Sequence, residues 1–183
     1  MQTTIKQDLE KIQSLPSTFR LEQSAGINRI VFLRLLPLTN EKSRDLRAIE
    51  SEVLIRSIEG FDATDCVDFG DGELQYISNA VSIEYLGLDG TKITDSSLQS
   101  MQSHWPNLKF LDVENCNVSQ DGILSVLKFR KLVFVEIPEE LNSISFLARV
   151  REISPNLIVM CGGKDVMEQP ESAFDAIPWA KWN

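Results

Sequence analysis

His104 is the single histidine of the chain and stands beside Trp105, but no Ser or Cys forms a nucleophile motif for it to serve as base. A lone imidazole without a nucleophile reads as structural. Gly162-Gly163-Lys164 lacks the first Gly of a phosphate loop, and Asp165 replaces the hydroxyl residue that would meet magnesium, so the run reads as a turn. Asp62, Asp65, Asp68, Asp71 and Glu73 could offer oxygens to a divalent cation. Their spacing is not that of an EF-hand, and a solvated acidic rim is the simpler reading. Cys66, Cys116 and Cys161 are odd in number and widely spaced, which fits neither a disulfide framework nor a zinc pattern. Neither catalysis nor a cofactor or metal is expected.

The elements that position these residues follow from composition and repetition. With 183 residues, 43% hydrophobic and 25% charged, the chain suits one globular domain with tails. Lys and Arg number 18 against 27 Asp and Glu, a formal net charge of -9 that disfavours a grip on nucleic-acid phosphates. Basic or apolar partners are favoured instead. The longest apolar run, Ile27 to Leu38, is interrupted by Asn28, Arg29, Arg34 and Pro37 and is shorter than the roughly 20 residues of a spanning helix. The first ten residues mix both charge signs and read as neither a secretory signal nor a mitochondrial presequence.

Self-similarity organises the middle of the chain. Ile58-x-x-Phe61-x-Ala63, Ile83-x-x-Leu86-x-Leu88, Leu108-x-x-Leu111-x-Val113, Leu132-x-x-Val135-x-Ile137 and Leu157-x-x-Met160-x-Gly162 start about 25 residues apart. That period and core pattern belong to leucine-rich repeats, one short strand and one outer helix per unit. Apolar pairs at helical spacing follow each strand, Leu74/Ile77, Leu98/Met101, Ile123/Leu127 and Leu147/Val150. Thr94-Asp95, Ser119 and Ser143 are suited to helix N-caps, and Pro106 and Pro155 close helices. The expected fold is therefore α/β, a short horseshoe-shaped leucine-rich-repeat solenoid with a parallel sheet and outer helices. Cys66, Thr91 and Cys116 share the eighth step of their repeats. A Cys66–Cys116 disulfide would have to span two strand spacings of about 4.8 Å, beyond the Cα reach of about 7 Å. Cys161, four steps into the last repeat, is expected to face outwards and to be the reactive thiol.

The same register predicts the concave face. The step before each second core residue reads Gly60, Tyr85, Phe110, Phe134, Val159, and the next outward step reads Asp62, Gly87, Asp112, Glu136, Cys161, with Asp89 and Glu114 beyond. An aromatic stripe beside an acidic stripe suggests a covered face. Either a protein partner brings Lys or Arg to Asp62, Asp112 and Glu136 and an apolar group to Tyr85, Phe110 and Phe134, or the chain's own N-terminal segment or C-terminal tail folds over the aromatics. A misread register is the third possibility.

Residues 1–52 are expected to form a helical N-terminal cap or extension, with an amphipathic helix from Thr4 to Leu15 and a charged helix around Glu41 to Ile55. The repeats, about four and a half of them, occupy 53–166. Residues 167–183 form a tail in which Trp179 and Trp182 suggest docking onto the horseshoe or a neighbour.

Two runs carry a family resemblance. Ile58-Glu59-Gly60-Phe61-Asp62-Ala63-Thr64-Asp65-Cys66, followed by Gly72-Glu73-Leu74-Gln75-Tyr76-Ile77, resembles the opening repeat of the cysteine-containing leucine-rich-repeat proteins typified by mitochondrial ATP synthase coupling factor B (subunit s) and the complex I distal-membrane-arm assembly factor. Asn117-Val118-Ser119-Gln120-Asp121-Gly122-Ile123, leading into Phe129-Arg130-Lys131-Leu132, is similar to their later repeat. The resemblance covers about residues 55–160. The Trp-rich opening of factor B is missing and the Trp-containing tail is extra. It implies a non-enzymatic accessory, coupling or assembly subunit of a mitochondrial respiratory-chain or ATP synthase complex. The alternative is a soluble, cytoplasmic recognition adaptor of the F-box type, whose adaptor-binding helices would have to come from Leu15-Pro16 and Ile27 to Leu38.

Overall fold

A computed structural model of the chain describes residues 17–24, 27–37 and 55–169. Its first described elements are β1 (Ser17–Ser24) and β2 (Ile27–Leu35), an antiparallel hairpin. This corrects the helical cap expected over 1–52, as far as that segment is described. Val31, Leu33 and Leu35 are buried on one face of β2 while Phe32 occupies the other, so the strand reads as one apolar run. The helices expected from Thr4 to Leu15 and around Glu41 to Ile55 lie outside the described residues, Ile55 excepted.

β2 then pairs in parallel with β3 (Gly60–Asp62), and β4 (Tyr85–Gly87), β5 (Phe110–Asp112), β6 (Phe134–Glu136) and β7 (Ile158–Cys161) follow side by side in chain order. A two-residue β8 (Lys164–Asp165) returns antiparallel to β7 through Gly162 and Gly163, both at positive φ, so the Gly-Gly-Lys run is a turn. The fold is α/β with a mostly parallel sheet.

The helices between strands are α1 (Asp71–Leu74), continued by a 3-10 turn to Ile77, then α2 (Asp95–His104), α3 (Gln120–Val126) and α4 (Ile144–Ile153). Their starts follow the expected cap chemistry. The hydroxyls of Thr94, Ser119 and Ser143 accept from the N–H groups of Ser96, Gly122 and Phe146 at 3.3, 3.3 and 3.4 Å. One face of the sheet packs on these helices. Leu33, Phe61, Leu86, Leu111, Val135 and Val159 form one row of that core, against Leu74, Leu98, Met101, Ile123, Phe146 and Val150 from the helices. Each fully buried aliphatic side chain contributes about 1.5–3 kcal/mol. In the turns leaving the strands, the Leu88 carbonyl accepts from Thr91 Oγ1 at 2.6 Å and Cys116 Sγ at 3.0 Å. All three cysteines are buried.

The last repeat departs from the expected register by one residue. Leu157 keeps the role of Leu108, its N–H donating to the Ser154 carbonyl as that of Leu108 donates to Trp105. Yet Ile158, not Val159, pairs with Phe134, because one residue is missing between this turn and the strand. Side chains alternate along a strand, so a single deletion exchanges the faces. Ile158 and Met160 point outwards, while Val159 and Cys161 join the core. Cys161, expected to face out, is 5% exposed.

Candidate protein-interaction face

On the face away from the helices, the first outward row runs Phe32, Gly60, Tyr85, Phe110, Phe134, Ile158, and the next runs Arg34, Asp62, Gly87, Asp112, Glu136, Met160. The structure thus brings together Tyr85, Phe110 and Phe134, and beside them Asp62, Asp112 and Glu136, as the repeat register predicted. Phe32, Arg34, Ile158 and Met160 were not anticipated. Phe32 and Arg34 arrive on the hairpin, whose pairing with β3 has no local sequence signal, and Ile158 and Met160 follow from the missing residue. Trp179 and Trp182 lie outside the described residues.

Two glycines shape this face around Tyr85. Gly60 has no side chain, so the rings of Phe32 and Tyr85 approach across it, 6.0 Å between centroids. Gly87 leaves room for the phenol: a Cβ there would lie 2.9 Å from the Tyr85 hydroxyl and 3.1 Å from Asp62 Oδ1. The hydroxyl therefore fills the gap in the acidic row between Asp62 and Asp112. Burial, then the carboxylates of Asp62 and Asp112, push the phenol above its usual pKa range.

Within the acidic row, Asp62 pairs with Arg34 (Nε to Oδ2 3.3 Å) and accepts the Thr64 N–H at 2.8 Å. Asp112 accepts the Glu114 N–H at 3.0 Å. Burial pushes Asp112 up to about 8, with the carboxylates of Glu136, Asp89 and Glu114 adding to it against that hydrogen bond. Glu136 is raised too, by burial first and then by Glu114. Glu114 in turn accepts the Gly162 N–H at 3.1 Å, tying the row to the last turn. Carboxylates gathered along one side of a face form a patch of negative potential that attracts cationic groups.

The aromatic row is closed to solvent. Phe110 and Phe134 are 2% and 6% exposed, Ile158 is 2% exposed, and with Tyr85 and Met160 they form a second apolar cluster separate from the main core. The Phe110 and Phe134 rings are tilted with centroids 6.2 Å apart.

The other chemical candidates are dispersed. His104 ends α2 and lines an outer groove of about 630 Å³ with Asp71, Tyr76, Ser96, Ser97, Ser100 and Trp105. The Ser97 hydroxyl donates to Asp71 at 2.5 Å and that of Ser100 to the Ser97 carbonyl at 2.9 Å, so neither donates to the imidazole. Of the five carboxylates considered for a cation, Asp62 serves Arg34, Asp71 serves Thr94 and Ser97, and Glu73 accepts the Gly70 N–H at 3.0 Å. No helix among the described residues is long and apolar enough to cross a membrane.

These features define an α/β protein with a mostly parallel sheet and one acid-lined face. No family model matches the chain, and no curated protein matches it. Among solved structures it is similar to leiomodin-1 actin-binding site 2, with a TM-score of 0.50 and 11% identity over 63% of this chain and 75% of that one. At that identity the likeness is one of fold.

Proposed function

We propose that the chain is a leucine-rich-repeat solenoid acting as a non-enzymatic protein-interaction module, and that its acidic row receives a basic segment of a partner protein. The observation that carries this reading is the row of carboxylates that the strand register sets side by side on the face away from the helices, Asp62, Asp112 and Glu136, with Glu136 lying near Glu114 and Asp89. The period of the strands, their side-by-side order and the shared turn positions support the repeat assignment. The motifs at Ile58–Cys66 and Asn117–Leu132 favour a partner within a mitochondrial respiratory-chain or ATP synthase complex, where the chain serves as accessory, coupling or assembly subunit. The F-box alternative loses one of its candidate adaptor helices, because Ile27–Leu35 is a strand.

Native gel electrophoresis of mitochondrial extract tests this reading. The protein is expected to migrate with a large respiratory assembly, and Glu136→Lys is expected to release it in a salt-sensitive manner. Migration as a free cytosolic species, or retention of the Glu136→Lys variant at unchanged strength, would reject it.

A further inference from the structure

We infer that the edge where the helices end and the strands begin is a second protein-interaction surface, and that Lys128, Arg130, Lys131, Val133 and Ile153 there receive an acidic, amphipathic segment of a partner protein. One turn bond sets this edge, repeat after repeat. The N–H groups of Leu108, Leu132 and Leu157 donate to the carbonyls of Trp105, Phe129 and Ser154 at 3.1, 3.3 and 3.1 Å. Equivalent places therefore follow one another along the edge: His104, Lys128 and Ile153 in one row, Pro106, Arg130 and Pro155 in the next, and Asn107, Lys131 and Asn156 in the third. The Lys131 ammonium donates to Asn107 Oδ1 at 2.6 Å, so neighbours in the third row touch.

Lys128, Arg130 and Lys131 are all exposed. Among the described residues none of them meets a carboxylate, and Lys131 turns to the neutral amide of Asn107. The dipole of α3 favours a cation near its end, where Lys128 stands, but that effect fades within a turn and does not account for Arg130 and Lys131. Of the six large apolar side chains exposed among the described residues, Val81, Val133 and Ile153 lie on this edge, at 50, 40 and 54%. The edge thus gathers uncompensated charge and bare apolar surface, the mixture that interfaces use.

The charge selects an anionic partner, and the acids of the edge limit its width. Glu84 is paired to Lys109 at 3.0 Å, and Glu152 stands exposed beside Ile153. A bilayer of anionic headgroups would press on Glu84 and Glu152 as well as on the cations. A nucleic acid would do the same, and would find no ring to stack on, because Trp105 and Phe129 are buried. A single acidic segment can lay carboxylates on the three cations and apolar side chains on Val133 and Ile153 without spanning the whole edge. Asp112 and Glu136 close the opposite ends of β5 and β6, so this surface is separate from the acidic row and the inference holds whether or not that row binds.

A random dodecapeptide library displayed on phage and selected against the immobilised full chain tests it. Acidic peptides with interspersed apolar residues are expected to be enriched, and to bind about tenfold more weakly to Lys128→Glu/Arg130→Glu. Val133→Ser should weaken them several-fold, and Glu136→Lys should leave them unaffected. Basic peptides held by the acidic row would show the reverse dependence, so the two surfaces fail or succeed separately. If the urea midpoint shows that Lys128→Glu/Arg130→Glu does not fold, Lys128→Gln/Arg130→Gln takes its place. A selection without acidic peptides, or acidic peptides that bind the charge-reversed chain at unchanged strength, would overturn the inference. So would co-flotation with phosphatidylglycerol vesicles that the same variant abolishes, since the surface would then take lipid.

Discussion

Asp95 holds Ser119 twice, its carboxylate accepting the Ser119 N–H at 2.8 Å and the Ser119 hydroxyl at 2.5 Å. Asp95 is the first residue of α2 and Ser119 is the N-cap of α3, so the opening turn of one helix fixes the start of the next. Asp71 does the same one repeat earlier, accepting from the Thr94 N–H, the Thr94 hydroxyl and the Ser97 hydroxyl. Burial opposes the Asp71 charge, but the bonds from Ser97 and Thr94 outweigh it and hold the carboxyl below its usual pKa.

Gly122 is the position that this bond constrains, because a Cβ there would collide with the Asp95 carboxylate. Gly122→Ala gains about 1 kcal/mol of helix propensity, yet the collision should make it a net loss of about 1–2 kcal/mol. In an Asp95→Ala background the same change should stabilise by about 0.5–1 kcal/mol. Urea unfolding of the four variants measures the coupling, and a neutral Gly122→Ala in the parent chain would show that the carboxylate does not stand there.

Phe110→Ala should destabilise the protein by about 3–5 kcal/mol, comparable to about 2–5 kcal/mol for its inward neighbour Leu111→Ala. An open ladder would give a far smaller loss for Phe110. The urea midpoints of the two variants decide, since both residues come from one strand and share its backbone context.

Asp112 gives stability a pH slope. Its folded-state value, about 8, lies above the carboxyl's ordinary 3.8, so the folded chain holds more protons between the two. This contribution is complete below pH 4 and is lost as pH rises through 8. Asp112→Asn should therefore raise the melting temperature at pH 8–9, leave it nearly unchanged at pH 4, and flatten the curve between. An identical shift at both ends would mean that Asp112 acts through packing instead.

Cys161 should resist thiol reagents in the native state. Its sulfur is buried, and burial first, then the carboxylates of Glu139 and Glu114, raise its pKa. At pH 8 all three thiols should be modified only as fast as the chain opens, accelerating together in urea. One fast equivalent, traced to Cys161 by peptide mapping, would place it back on the outward face.

What the sequence reveals depends on how many residues enforce each feature. The repeat is legible because strand, turn and helix start each demand particular types at fixed offsets, so Leu108, Cys116, Ser119 and Ile123 agree with one another. The slip before Ile158 is hidden, because Leu157 satisfies the turn in either register and parity changes with one residue. The hairpin is hidden for another reason. A strand with apolar side chains on both faces, as at Val31, Phe32 and Leu33, shows no period that separates it from a buried helix. The acidic and aromatic rows could be listed in advance, but the closure of Phe110 and Phe134 could not, since a ring on a strand has the same sequence pattern whether covered or bare.

The capping contacts between repeats point one way along the chain. Asp71 serves Thr94 and Asp95 serves Ser119, Gln120 reaches Ser143 only through its amide at 3.4 Å, and at the next equivalent place stands Ile144, 91% exposed. A nascent chain emerging from the ribosome therefore meets an acceptor already in place for the starts of α2 and α3, and domains built from neighbour contacts can grow in that order. Shortening such a chain from its C-terminal side leaves every earlier cap supported. Removing its first repeat strips the support from the second, so the two directions of deletion should differ in the structure that survives.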